Sequence, residues 1–131
     1  MSRLPVKYRL SELLGMRFVM GADGTDRQID CIHLCLYALD AFNIPRPDLN
    51  PEWYETGAMT HLRAMRKWGK MIAEPHYDGD ILWVGGSGPT FAVVWDLGIL
   101  HINHQSKMVS WCPIGKISNY RTYRYCPTKG S

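Results

Sequence analysis

The sequence predicts an α+β fold, with N-terminal helices packed on a C-terminal antiparallel β-sheet of about five strands. Two observations predict it: helical patterns fill the first half of the chain, and short strand-prone runs separated by turn signals fill the second. No internal repeat, low-complexity tract or linker divides the 131 residues. We therefore expect a single domain over residues 1–131.

The predicted helices precede residue 71. Residues 10–14 form a short apolar-rich helix that leads into a glycine-rich loop. The apolar run 31–42 directly follows Asp30, a good N-cap, and ends before Pro45, so it is expected to be a buried helix. Another helix is expected from Asn50-Pro51 onwards. It would carry a solvated basic face made of Arg63, Arg66, Lys67 and Lys70.

The predicted strands follow residue 80. Short runs rich in β-branched and aromatic residues are separated by Gly, Asp and Pro, which are turn signals. The five runs are 81–84, 91–95, 99–102, 108–111 and 122–125.

Composition limits the function classes. No apolar run reaches the roughly 20 residues that a membrane span needs, so none is expected. The first residues show no secretion signal, which predicts synthesis in the cytoplasm. The formal charge of +3 comes without a nucleic-acid motif, so the basic stretch 63–70 is interpreted as a solvated face and no nucleic-acid partner is expected. The four cysteines show no disulfide pattern and are expected to be reduced.

Cys31 is the candidate nucleophile. At the first turn of a helix, free N–H groups and the positive end of the dipole favour a thiolate. The alternative is that Cys31 is a small core residue. A nucleophilic cysteine also needs a base, normally histidine. His33 lies about 200° around the helix axis from Cys31, whereas His101 lies in a strand that could face the helix end.

Five segments in order resemble the NlpC family of papain-like cysteine peptidases. The family pattern is a Leu-Gly-x-Pro-Tyr-x-x-Gly loop, an Asp-Cys-Ser-Gly-Leu helix start, Leu-Pro-Arg, Gly-Asp-Leu-Val-Phe and His-Val-Gly-Ile-Tyr, with a later strand ending in Ile-His. The similar stretches here begin at Leu14, Asp30, Ile44, Gly79 and Thr90, and the last strand is 99–101. The resemblance covers about residues 10–103 and implies a papain-like fold.

The resemblance implies a nucleophilic role for Cys31 and a third-position role for His101. In the same alignment, the family histidine falls on Thr90 and the tyrosine of the loop falls on Phe18. Threonine has no basic nitrogen, and general-base assistance is commonly worth about 10²–10⁴-fold. Two expectations stay open: a weakly active or inactive protein kept for docking, and an active cysteine endopeptidase or amidase on peptidoglycan peptides. His101, or His76 from its loop, would then supply the base.

The closing stretch 109–125 resembles that of the short single-domain members in phage tail tips. The resemblance implies a location in the virion tail tip and other tail-tip proteins as partners, with peptidoglycan peptides as a further possible ligand. Exposed aromatics would then be docking anchors, with Trp53, Tyr54, Trp83 and Tyr120 as candidates.

No cofactor and no metal are expected. The one metal alternative is a zinc site in which Cys31 and Cys35 would act with His101 and His104. Strand alternation argues against it, because it directs His101 and His104 to opposite faces.

Overall fold

The fold is α+β, with helices on one face of a six-stranded antiparallel sheet. The computed structural model describes residues 4, 6–47, 58–85 and 90–127. The helices are α1 (Leu10–Leu13), α2 (Cys31–Ala41) and α3 (Ala58–Trp68). The strands are β1 (Arg17–Phe18), β2 (Gln28–Ile29), β3 (Gly69–Ile72), β4 (Ile81–Val84), β5 (Thr90–Trp95), β6 (Gly98–Ile102), β7 (Val109–Pro113) and β8 (Tyr120–Tyr125).

The sheet order is β3-β8-β4-β5-β6-β7, and every neighbouring pair is antiparallel. The prediction of about five strands was one short, because residues 69–72 form β3 instead of continuing the basic helix. Lys70 therefore lies on an edge strand, paired with Arg124, and not on the helix. The two-residue strands β1 and β2 form a separate parallel pair. The predicted start of α3 at Asn50-Pro51 lies outside the described residues.

The helix α2 is buried because almost every side chain along it is apolar. All residues from Cys31 to Leu39 are buried, and its N-terminus is capped by Asp30. By contrast, α3 is amphipathic, with Leu62, Met65 and Trp68 turned inwards. No helix in the described part of the chain is long and apolar enough to cross a membrane.

The sheet has two covered faces with different partners. One face, here called the helix face, shares a core cluster with α2. Its members include Ile81, Phe91, Val93, Leu100 and Tyr123. The opposite face, here called the outer face, belongs to a second, smaller cluster. That cluster contains Leu82, Ala92, Val94 and Ile99, with Ile114 and Ile117 packed against it.

Strand pairing confirms which residues share each face. Ile81 lies opposite Val93 and Val93 opposite Leu100, all on the helix face. Leu82 lies opposite Ala92, both on the outer face. Because side chains alternate along a strand, every residue of β4 to β6 can be assigned to one face from these pairs.

Candidate functional site

The predicted nucleophile lies where the helix meets the sheet. Cys31 is the first residue of α2 and is only 2% exposed. The backbone of Phe91 on β5 hydrogen-bonds its sulfur. The thiol is therefore enclosed between the first turn of α2 and the helix face of β5.

Burial raises the pKa of the Cys31 thiol from its ordinary value of 9.0 to about 12. The negative charge of Asp30 raises this pKa further, while the hydrogen bond from the Phe91 backbone lowers it. Despite the position of Cys31 at a helix start, its surroundings favour the neutral thiol. Desolvation outweighs the favourable field of the helix end, because an ion in an apolar core loses its hydration.

Asp30 directs its carboxylate at the helix end. Its Oδ1 atom accepts from the His33 backbone N–H at 2.7 Å, and it is 2.9 Å from His33 Nδ1. The Oδ2 atom is buried and has no hydrogen-bond partner. The helix end is thus already occupied by an acidic side chain, which also holds the His33 ring.

Thr90 lies on the outer face, not beside the thiol. It is paired with Val84, which packs against the outer cluster. The residue of β5 that faces α2 is its neighbour Phe91, which is fully buried. Thr90, onto which the alignment puts the family histidine, therefore does not share a face of the sheet with Cys31.

His101 also lies on the outer face, which contradicts its predicted role as the base. It follows Leu100, a helix-face residue, and is paired with Ser110 on β7. Burial and the nearby charge of His104 lower the pKa of His101. The β6 residue that packs towards the helix cluster at this level is Ile102. The sheet itself therefore separates His101 from Cys31.

His76 does not reach the thiol either. Its Nε2 atom lies 3.0 Å from the Thr122 hydroxyl, and Thr122 is paired with Leu82 of the outer face. Phe18 lies on β1, half-buried and paired with Ile29, two residues before the thiol.

The sequence pattern did not predict the burial of His61. Its basic surroundings on α3 suggest a surface residue, but it is 1% exposed. Its ring packs edge-on against the Phe91 ring, with centroids 6.1 Å apart. One feature of the sequence could have indicated this burial. His61 is next to Leu62 and so borders the apolar stripe of α3.

The zinc alternative is wrong for a geometric reason. Cys31 and Cys35 are buried in the α2 core, whereas His101 is on the outer face. Within the described ranges, no group of three or more His, Cys, Asp or Glu side chains is arranged to hold a metal ion.

Two of the predicted docking aromatics lie partly in the core. Trp83 packs against the helix cluster and Tyr120 against the outer cluster. Trp53 and Tyr54 lie outside the described residues.

Comparison with known proteins supports the architecture. No family model and no curated protein matches the chain. Among solved structures, NlpC2 from Trichomonas vaginalis is similar, with a TM-score of 0.60 and 17% sequence identity. The match covers 88% of this chain and 44% of that chain, so this chain spans less than half of the other protein's length. At this identity the likeness shows a papain-like, NlpC-type fold.

Proposed function

We propose that the chain is a structural or docking component of a phage tail tip whose NlpC-like fold has no peptidase activity. One observation carries the loss of activity: the Cys31 thiol is buried against Phe91, and Ile102 packs at the same level of the next strand. Thr90, His76 and His101, the residues predicted to supply or replace the base, all lie on the outer face, whereas the one histidine described on the helix face, His61, packs against the Phe91 ring.

The chemical argument follows from the thiol's pKa. With a pKa of about 12, only about one Cys31 in 10⁵ is ionised at pH 7. A cysteine peptidase normally overcomes this with an adjacent imidazole, which accepts the proton and later donates it to the leaving amine. Here Thr90 and His101 lie across the sheet, so neither can perform that transfer.

The tail-tip role rests on the sequence resemblance of residues 109–125 to the short members found there. Other tail-tip proteins are the proposed partners, and peptidoglycan peptides are a further possible ligand. The proposed location is the virion. Detection of the chain by mass spectrometry in purified particles tests this part, and its absence from intact particles would contradict it.

The loss of activity is tested with dye-labelled peptidoglycan. We expect the purified protein to release no more dye than its Cys31→Ala variant, because a neutral buried thiol does not attack an amide. Release by the unmodified protein that the Cys31→Ala variant lacks would overturn the proposal.

The second candidate function is an active peptidoglycan endopeptidase or amidase with Cys31 as the nucleophile. One observation favours it: His61 is buried on the helix face and its ring contacts that of Phe91, the residue whose backbone hydrogen-bonds the Cys31 sulfur, so this candidate assigns the base to His61. If this candidate is right, the His61→Gln variant and the Cys31→Ala variant should each lose hydrolysis.

A further inference from the structure

A cleft lies on the side of α3 that faces the segment after α2. It has a volume of about 550 Å³, and none of its lining residues belongs to the first turn of α2. Pro45 and Pro47 form one side, and Tyr125 with Pro127 closes an end. This volume is within the range of sites that hold a small ligand or a few side chains.

The described residues that line the cleft give it positive charge. Arg63 and Lys67 line it from α3, and their spacing of four residues puts them on one side of that helix. Among the lining residues that the structure describes, none is Asp or Glu. In the part of the chain that the structure describes, neither Arg63 nor Lys67 forms an ion pair. The charge of the cleft is therefore complementary to an anion.

The apolar wall of the cleft is held in place. The Trp68 indole N–H donates to the Pro45 carbonyl, and its ring lies 5.7 Å from that of Tyr125, centroid to centroid. At the rim, the Arg46 guanidinium is fixed by the Asp40 carboxylate. Fixed walls lower the conformational cost of binding, because few side chains must be ordered when a ligand enters.

We propose that this cleft binds an acidic peptide segment of a partner protein. A carboxylate of the peptide would lie between Arg63 and Lys67, and an apolar or aromatic neighbour would pack on Trp68 and Tyr125. Two cations one helical turn apart on one side of the cleft suit one or two carboxylates. A nucleic acid would instead need a series of cations along its backbone. The inference deepens the proposed docking role and rests on it for the identity of the partner as a protein.

The test is a titration of ¹⁵N-labelled protein followed by NMR. The probe is the blocked peptide Ac-Pro-Glu-Tyr-Glu-Pro-NH₂, and the matched control is the same peptide with Gln in place of Glu. We expect the Glu peptide to shift the Trp68 indole resonance in a saturable manner. Removal of both cations in the Arg63→Ala, Lys67→Ala variant should weaken binding by about tenfold or more, because two charge-assisted contacts are lost.

Arg66→Ala is the matched control variant, since Arg66 is exposed on the same helix and does not line the cleft. It should leave the affinity within about twofold. The proposal would be overturned by equal shifts with the Gln peptide, by an equal loss in Arg66→Ala, or by tighter binding of a 12-nucleotide single-stranded DNA. Absence of any shift at about 5 mM peptide, where even millimolar affinity gives occupancy, would also overturn it.

The two proposals fail separately. Peptidoglycan hydrolysis would contradict the inactive site and leave the titration result standing. A failed titration would remove the acidic-peptide site and leave the burial of Cys31 unchanged.

Discussion

Two opposing effects act on the Cys31 thiol. The backbone N–H groups at the start of α2 favour a negative charge there, which lowers a cysteine pKa. Burial and the Asp30 carboxylate favour the neutral thiol. Burial is the largest of these effects, because an ion in an apolar core loses its hydration. The same residue position would favour a thiolate on an open surface, whereas burial here favours the neutral thiol.

The substitution Asp30→Asn removes the negative charge of the N-cap and keeps its hydrogen bond from the His33 backbone. Asparagine still accepts from the His33 backbone, so the loss of stability should stay near 1 kcal/mol. The Cys31 pKa should fall, because the Asp30 charge is one cause of its elevation, but it should stay above 9.0 since burial persists. The pH dependence of thiol alkylation measures the pKa and urea unfolding measures the stability. Asp26→Asn, at an exposed position, should change neither.

An introduced imidazole reports which β5 residue faces the thiol. Phe91→His should lower the Cys31 pKa, because it puts a potential cation on the helix face. Thr90→His should leave this pKa unchanged, since Thr90 lies on the outer face. Alkylation rates of Cys31 at several pH values provide the readout. The reverse ranking of the two variants would show that the assigned strand register is wrong.

The element that the sequence describes least well is β5. Residues Phe91 to Val94 are all apolar and all buried, so they show no alternation between the two faces. Without alternation, the sequence does not show whether Thr90 or Phe91 is the residue that faces α2. Only the pairing with β4 decides between them, and that pairing depends on contacts distant in sequence.

The helices were easier to predict. Asp30 as a cap and Pro45 as a terminator gave α2 its bounds to within one residue. The basic residues of α3 correctly indicated its solvated side. They did not indicate that His61 is buried, because that burial depends on packing against Phe91. Residues 69–72 were missed as a strand because β3 is an edge strand that pairs only with β8, and its residues Lys70 and Met71 are exposed.

Gly98 is required where β6 pairs with β7. A Cβ atom at this position would lie 2.5 Å from the Cys112 carbonyl oxygen and 2.5 Å from the Trp111 ring. Gly98→Ala should therefore lower the free energy of unfolding by about 2–3 kcal/mol. Gly115→Ala, where nothing lies within 4 Å, is the control and should stay within about 0.5 kcal/mol. Chemical denaturation compares them, and equal stability of the two variants would contradict the close packing of β6 on β7.

At the scale of the whole molecule, the sheet separates the predicted nucleophile from most of the residues predicted to act with it. The helix face holds Cys31, Phe91 and His61, while the outer face holds Thr90 and is the side on which His76 and His101 lie. A conformational change that united the thiol with His101 would have to break strand pairing. The fold is NlpC-like, and within it Cys31 lies on one side of the sheet while Thr90, His76 and His101 lie on the other.

The buried thiol also sets a pH dependence of stability. Between pH 9 and 12 the unfolded chain has released the Cys31 proton and the folded chain still holds it. The folded state binds more protons in this window, so its stability falls as pH rises, by about 1.4 kcal/mol per pH unit. Cys31→Ala should remove this contribution, and its stability should fall less steeply above pH 9 than that of the unmodified protein. Parallel curves from urea unfolding at pH 8 to 10.5 would contradict the raised pKa.

The most direct measurement is the rate at which each cysteine of the folded protein reacts with iodoacetamide at pH 8, resolved by mass spectrometry. The half-exposed Cys112 and Cys126 should react first, and Cys31 should react only as fast as the protein unfolds. Faster alkylation of Cys31 than of the other three cysteines, with an inflection below pH 9, would establish an ionised nucleophile and contradict the inactive site.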